Sequence, residues 1–379
     1  MKKVLLGTTA IAVAGIVAGS AATANAADPI SVGINGYWKN AMAMINEDSE
    51  SGNLADARNS HAVGQDVEMS LSGSTTLDNG ITVGFNAQLE GGADAATGDG
   101  EAFDEAWMYL SGSFGQLDVG IVESARHSHG VTFGGGAASN FGVNSPFFLF
   151  GHDGGLFGTR TNTDGIGTED SMTLRYHLPS FNGLNIGVSY VPNSKGAQQY
   201  GGNTTDTASG LQNSIAVGGN YTAAFGGGSV TLRAGYESYV LQNCAASAAT
   251  QTCNDKPESV NLGGAVSFGS VTIAADTLTT SQITQDTLGN DRDRSDHHIG
   301  ASYNMGATTV SLGWGHAEVE NTDLTTDELD IYELAASYVL GPGIDAQIAL
   351  RSGEWDDETA GSTNDNSWTS ILVGTSIGF

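Results

Sequence analysis

The sequence predicts an all-β chain that closes as a 16-stranded antiparallel transmembrane β-barrel, with short periplasmic turns on one rim and long external loops on the other. Three observations carry this. Apolar side chains recur at every second position in one segment after another, the period of a strand with one apolar and one polar face. The connections alternate between tiny and long, as they do in bacterial barrels. The composition is Gly-rich and charge-poor: 54 of 379 residues are Gly and 15% are charged, against ~7% and ~25% in soluble domains.

Residues 1–26 read as an export leader. Lys2 and Lys3 give a basic start, the stretch from Val4 to Val17 is uncharged and mostly apolar, and Ala24-Asn25-Ala26 is a small-x-small cleavage triplet. A membrane anchor is the competing reading; the apolar run is short for one. The barrel then occupies 27–379. Its longest uncharged stretches, 130–151 and 207–232, are rich in Gly, Ser, Asn and Thr, whereas a spanning helix wants ~20 predominantly apolar residues. A membrane chain without such helices has to close as a barrel to satisfy its backbone.

The strands are expected near 30–38, 66–76, 80–90, 105–114, 116–122, 171–178, 184–192, 213–224, 229–240, 258–268, 270–280, 296–305, 308–318, 329–340, 344–352 and 367–379. Ile81, Val83, Phe85, Ala87 and Leu89 show the alternation, as do Ile344, Ala346, Ile348 and Leu350. Short turns at 77–80, 115, 225–228, 269, 306–307 and 341–343 alternate with long loops at 39–65, 91–104, 123–170, 193–212, 241–257, 281–295, 319–328 and 353–366. A soluble β-sandwich also alternates, but carries comparable loops at both ends. A β-solenoid needs a fixed short repeat, which the sequence lacks.

In a barrel the apolar parity faces lipid and the polar parity faces the lumen. That places Glu68, Glu90, Asp118, Arg175, His177, Arg233, Glu237, His298, Glu333, Asp345 and Arg351 on the pore wall. Sixteen strands leave an aqueous channel, so these groups need no dry core, where unpaired charge is prohibitive. Phe114, Phe225, Phe268 and Phe379 mark one interface; Trp38, Trp314, Tyr190, Tyr236 and Tyr332 lie farther along on apolar parity, as a second aromatic belt.

Charge narrows the partners. Asp and Glu number 42 against 13 Lys and Arg, for a net charge of −29. That excludes nucleic acid, which rewards cations on its phosphates, and an anionic membrane surface. The two cysteines, Cys244 and Cys253, lie close together in a Ser-, Thr- and Ala-rich segment. In an exported chain they are expected to form one disulfide; two free thiols or half of a metal site are the alternatives.

Three stretches resemble the general diffusion porins of proteobacterial outer membranes. Residues 105–120, EAWMYLSGSFGQLDVG, are similar to the hairpin before the porin third loop. Residues 174–192, LRYHLPSFNGLNIGVSYVP, are similar to the hairpin after it, and 370–379, SILVGTSIGF, to the closing strand whose final Phe379 resembles the outer-membrane assembly signal. The resemblance implies a homotrimer in contact with outer-membrane lipid and lipopolysaccharide, with loop three, 123–170, folded into the lumen as a constriction. Many relatives carry Arg directly after the Gly that precedes this loop; here Gly120 is followed by Ile121, Val122 and Glu123.

A passive channel has no catalytic residues; its functional residues set width and field. The 48-residue loop three contains six Phe and eleven Gly, an aromatic load that is costly to expose on a backbone able to fold tightly. Its candidate constriction charges are Glu123, Arg126, Asp153, Arg160, Asp164, Glu169 and Asp170, facing Arg175, Arg233 and Arg351 on the wall. Opposed rows of that kind set up a transverse field.

Other chemistry is less well supported. His127 and His129 on a strand-like stretch would share a side, and His152 is nearby, but a zinc site wants a further convincing ligand. The acidic segments 291–296 and 355–358 match no calcium-loop motif, leaving at most adventitious Ca²⁺. The triple glycines at 134–136 and 226–228 lack the helix that a phosphate loop requires. A sugar track wants a file of aromatics, and lumen parity offers Tyr37, Trp107 and Tyr109; an anion throat wants Lys, and 27–379 has Lys39, Lys195 and Lys256. A barrel enzyme would need a singled-out Ser, and a purely structural barrel or adhesin leaves loop three unexplained. The expectation is a water-filled, weakly cation-selective pore for ions and small hydrophilic solutes.

Overall fold

The structure, a computed structural model, describes residues 28–49, 60–92, 103–130, 142–143, 171–193, 210–242, 257–281, 293–321, 325–358 and 365–379. The strands are β1 (Ser31–Ser49), β2 (His61–Thr76), β3 (Thr82–Gly92), β4 (Ala106–Gly112), β5 (Gly115–Ile121), β6 (Met172–His177), β7 (Leu184–Asn193) and β8 (Gly210–Phe225). They continue with β9 (Gly228–Gln242), β10 (Glu258–Phe268), β11 (Val271–Ser281), β12 (Arg294–Met305), β13 (Thr308–Glu320), β14 (Thr326–Gly341), β15 (Ile344–Asp356) and β16 (Asn366–Gly378). Among the described residues, one helix, α1 (Ala125–Gly130), follows β5.

Each strand pairs antiparallel with its sequence neighbours, and β16 returns to pair with β1, closing the barrel. Closure ends on two backbone bonds: Gly36 N–H donates to the Phe379 carbonyl at 2.9 Å, and Phe379 N–H to the Gly36 carbonyl at 3.0 Å. The short turns rest on residues suited to them. Gly306 takes a φ of 81°, and the Asn304 side chain accepts its N–H at 3.0 Å, which seals the β12–β13 turn where a side chain at 306 would be strained.

The alternation is inside out, as expected of a barrel. Leu262, Ile273, Leu312, Leu334, Leu350 and Val373 are exposed on the outer face, a belt that only lipid would cover. Between them, the opposite parity turns inward. Around the short-turn rim, Phe225 and Phe268 stack with ring centroids 6.4 Å apart.

Strand lengths depart from the sequence expectation in one instructive place. The first strand, expected to stop near 38, runs to Ser49. Met42 and Met44 face out, while Ala41 and Ala43 are buried with Ala335, Ala349 and Leu372. Apolar residues on both faces hide the period of two.

Candidate pore constriction

Five wall positions lie at one level around the inside of the barrel. Register places His177 beside Gly187, Gly187 beside Gly218, Gly218 beside Gly235 and Gly235 beside Asn261, on β6 to β10. The three central residues have no side chains, so the wall here is bare backbone. α1 occupies the space. A Cβ at Gly218 would lie 1.9 Å from the Ala125 carbonyl oxygen, one at Gly235 would meet Arg126 Cγ at 2.7 Å, and one at Gly187 would meet the His129 ring at 2.5 Å.

The helix is started and held by polar contacts. Ser124 Oγ accepts the His127 N–H at 3.4 Å, an N-cap bond, and donates to Glu237 Oε2 at 2.9 Å. Ala125 N–H donates to Ser189 Oγ at 2.9 Å. Arg126 Nε donates to Glu237 Oε2 at 3.1 Å, both side chains being 0% exposed; Ser214 Oγ reaches the other carboxylate oxygen at 2.8 Å. At the helix end, Asn261 Nδ2 donates to the Gly130 carbonyl. An ion pair with this many hydrogen bonds tolerates burial, and removing one partner costs about 3–5 kcal/mol.

Two wall arginines clamp loop-three backbone. Arg175 bonds Asp118 through Nε at 2.9 Å and the Glu123 carbonyl through Nη1 at 3.0 Å. Arg351 bonds Glu333 through Nη2 at 2.8 Å and the Gly142 carbonyl at 3.1 Å. Beside Gly142, Val143 is buried with Ala317, Leu329, Ile331, Trp355 and Trp368. Among its described residues, loop three is therefore anchored twice on the inner wall, once on β6–β10 and once on β13–β16.

Between the loop stem and β2–β6 lies a recess of about 490 Å³ lined by Glu68, Asp104, Glu105, Glu123, Trp107 and Arg175, among others. Glu68 sits directly across from Glu90 and accepts the Tyr37 hydroxyl at 3.3 Å. Glu105 Oε1 accepts the Glu123 N–H at 2.9 Å.

The Gram-negative porin family model matches residues 7–358. The chain belongs to the Gram-negative porins. It is an outer-membrane channel protein. The porin's fold is similar to that of the anion-selective porin from Comamonas acidovorans, with a TM-score of 0.61 and 20% identity over 93% of this chain and 100% of that one. It is also similar to the outer membrane channel DcaP of Acinetobacter baumannii, with a TM-score of 0.60 and 12% identity over 92% and 97%. The trimer form of OmpT from Vibrio cholerae gives 0.57 and 12% over 93% and 100%. No curated protein sequence matches this porin.

Apart from Glu68, Glu90, Glu123, Arg126 and Phe379, the predicted site residues fall into three groups in the porin. Asp118, Arg175, His177, Glu237, Glu333 and Arg351 all engage charged or polar partners at the two loop anchors. His298 instead pairs with Asp276 at 2.5 Å, Asp345 lies near the short-turn rim opposite Ser376, and Arg233 sits across from Asn220. Asp153, Arg160, Asp164, Glu169 and Asp170 lie outside the described residues, as do Cys244, Cys253 and His152.

Three expectations need correction. Arg126 is buried against Glu237 and is no open constriction charge. Arg175 and Arg351 clamp the loop backbone at Glu123 and Gly142, so they do not stand across a gap from the loop. His127 and His129 lie on a helix, where His127 Nδ1 meets Glu123 Oε1 at 2.6 Å and His129 points into the wall. Sequence reasoning also missed Ser124, Asn220 and Asn261, and the lumen-side Trp355 and Trp368. Both Trp are buried beneath Val143, so they form no open aromatic track.

Proposed function

We propose that this porin is a general diffusion channel: a water-filled, weakly cation-selective pore for ions and small hydrophilic solutes. The observation that supports this best is the acidic recess. Four carboxylates, Glu68, Asp104, Glu105 and Glu123, share it with one guanidinium, Arg175, which already faces Asp118. Arg126 and Arg351 are likewise matched by Glu237 and Glu333. The acidic excess, 42 carboxylates to 13 cationic side chains with two of the latter in the leader, then sets the sign of the lumen field. A negative lumen concentrates cations and repels anions.

The fold-level neighbour from Comamonas is described as anion-selective. At 20% identity its selectivity does not transfer, because the sign of a pore field depends on individual side chains. Export by residues 1–26, assembly as a homotrimer and contact with lipid and lipopolysaccharide complete the proposal. Small residues on the outer parity of the first strands, Gly36, Gly73, Ala87, Ala106 and Gly112, favour close packing of barrels.

The test is the zero-current potential across a KCl gradient after reconstitution. The expected sign is cationic, fading as salt rises because the Debye length shrinks from ~10 Å at 0.1 M to ~3 Å at 1 M. E68Q/E123Q should weaken the preference more than D356N/D357N. A chloride-favouring potential would overturn the charge argument, and a lack of conductance would overturn the channel itself.

A further inference from the structure

We infer that α1 is a proton-sensitive latch: the His129–His177 contact helps to hold the start of loop three on the wall only while His129 is neutral. The inference rests on the channel reading above and on a hydrogen-bond relay that runs in one direction. Asn185 Nδ2 donates to Asn220 Oδ1 at 2.9 Å. This fixes the Asn220 amide so that its NH₂ faces His129 Nδ1, at 3.2 Å. His129 Nδ1 must then accept, which puts the ring proton on Nε2. From there it donates to His177 Nδ1 at 2.6 Å. His177 carries its proton on Nε2 and donates to Asp118 Oδ2 at 2.7 Å.

Every acceptor in this chain is occupied. A second proton on His129 Nδ1 would point at the Asn220 NH₂. That places two donors face to face, and Asn220 offers no acceptor in exchange, because its oxygen already serves Asn185. A buried donor facing a donor costs its full desolvation, so uptake of one proton favours withdrawal of His129 from the wall.

The surroundings do not compensate. β6 contributes Arg175 as well as His177, β9 contributes Arg233, and β5 contributes Asp118. Arg126 and Glu237 are satisfied by each other, and His127 is turned to Glu123. β7, β8 and β10 present Gly187, Asn220 and Asn261 here, none of them titratable. Burial, then His177, Arg175 and Arg233, push His129 down from 6.5 to about 4, with Asp118 pulling the other way. A group whose folded value is depressed binds more protons when released. Docking is therefore at full strength above about pH 6.5 and is lost as pH falls through about 4.

The experiment is single-channel recording of the reconstituted full chain in ~1 M KCl, where charge screening mutes selectivity effects, from about pH 7 down to about pH 4. Wild type should pass from a quiet open level to reversible flickering as α1 leaves the wall and enters the lumen. N220D should lose that response, because the new carboxylate can accept a His129 Nδ1–H while still accepting from Asn185. H129K, with a fixed charge in the relay, should flicker already at about pH 7. Heat-dependent gel mobility confirms that each variant has formed a barrel. Quiet wild-type channels throughout the range would overturn the latch while leaving the channel reading intact. An N220D response equal to wild type would overturn it too, since only the acceptor facing His129 differs between the two. No conductance at any pH would instead remove the channel reading.

Discussion

Adding a single methyl group to the wall under α1 tests whether the helix seat shapes the pore. In G218A the new Cβ would stand 1.9 Å from the Ala125 carbonyl oxygen and 2.8 Å from its carbon. Both are backbone atoms, so no side chain can swing aside. An ordinary C···O contact of ~3.4 Å requires α1 to retreat by about 1.5 Å. Hydrogen bonds near 2.9 Å, such as Ala125 N–H to Ser189 Oγ, would lengthen beyond bonding range. Overpacking of this kind costs ~1–3 kcal/mol, comparable to what the lost bonds contributed at ~0.5–1.5 kcal/mol each. The start of the helix should therefore shift off its seat, with the buried Arg126–Glu237 pair as its remaining tether. The neighbouring glycine is a built-in control: a Cβ at Gly219, on the outward parity, would meet nothing nearer than the Asn185 carbonyl at 3.5 Å. Single-channel recording at neutral pH should show lowered conductance with frequent brief closures in G218A and wild-type behaviour in G219A. Equal, quiet conductance in both variants would refute the view that the glycine row seats the loop.

Two further outcomes are expected, one from the geometry of the helix seat and one from the sequence. E237Q keeps the shape of the buried Arg126 partner and removes its charge; at a cost of ~3 kcal/mol, amide hydrogen exchange in α1 should accelerate roughly 100-fold while the heat-dependent gel shift of the barrel stays as in wild type. Cys244 and Cys253 should be recovered as one bridge in unreduced peptides, and its reduction should leave barrel mobility unchanged because the strand ladder closes without it; two free thiols by mass spectrometry would dispose of the bridge.

Barrel architecture was legible in the chain because its signals are local. Period-two alternation depends on neighbours two residues apart, and a turn such as Gly306–Ala307 depends on a residue or two. Even the terminal Phe379 could be read from the last ten residues, although only closure shows it bonded to Gly36. The alternation failed where both faces of a strand are apolar, as in Met42 to Ile45, because an inner wall lined by Ala and Leu erases the contrast on which the pattern relies. Inward parity was legible for Asp118, Arg175, Glu237, Glu333 and Arg351, which the structure buries on the inner wall. Which charges meet was decided by tertiary structure. Arg126 and Glu237 lie 111 residues apart, and they come together only when the register of β6 to β10 stacks Gly187, Gly218 and Gly235 into one bare strip. Each glycine alone looks like any other in a chain with 54 of them; it is the hydrogen-bond register between strands, a property of pairs distant in sequence, that turns three of them into the seat of loop three.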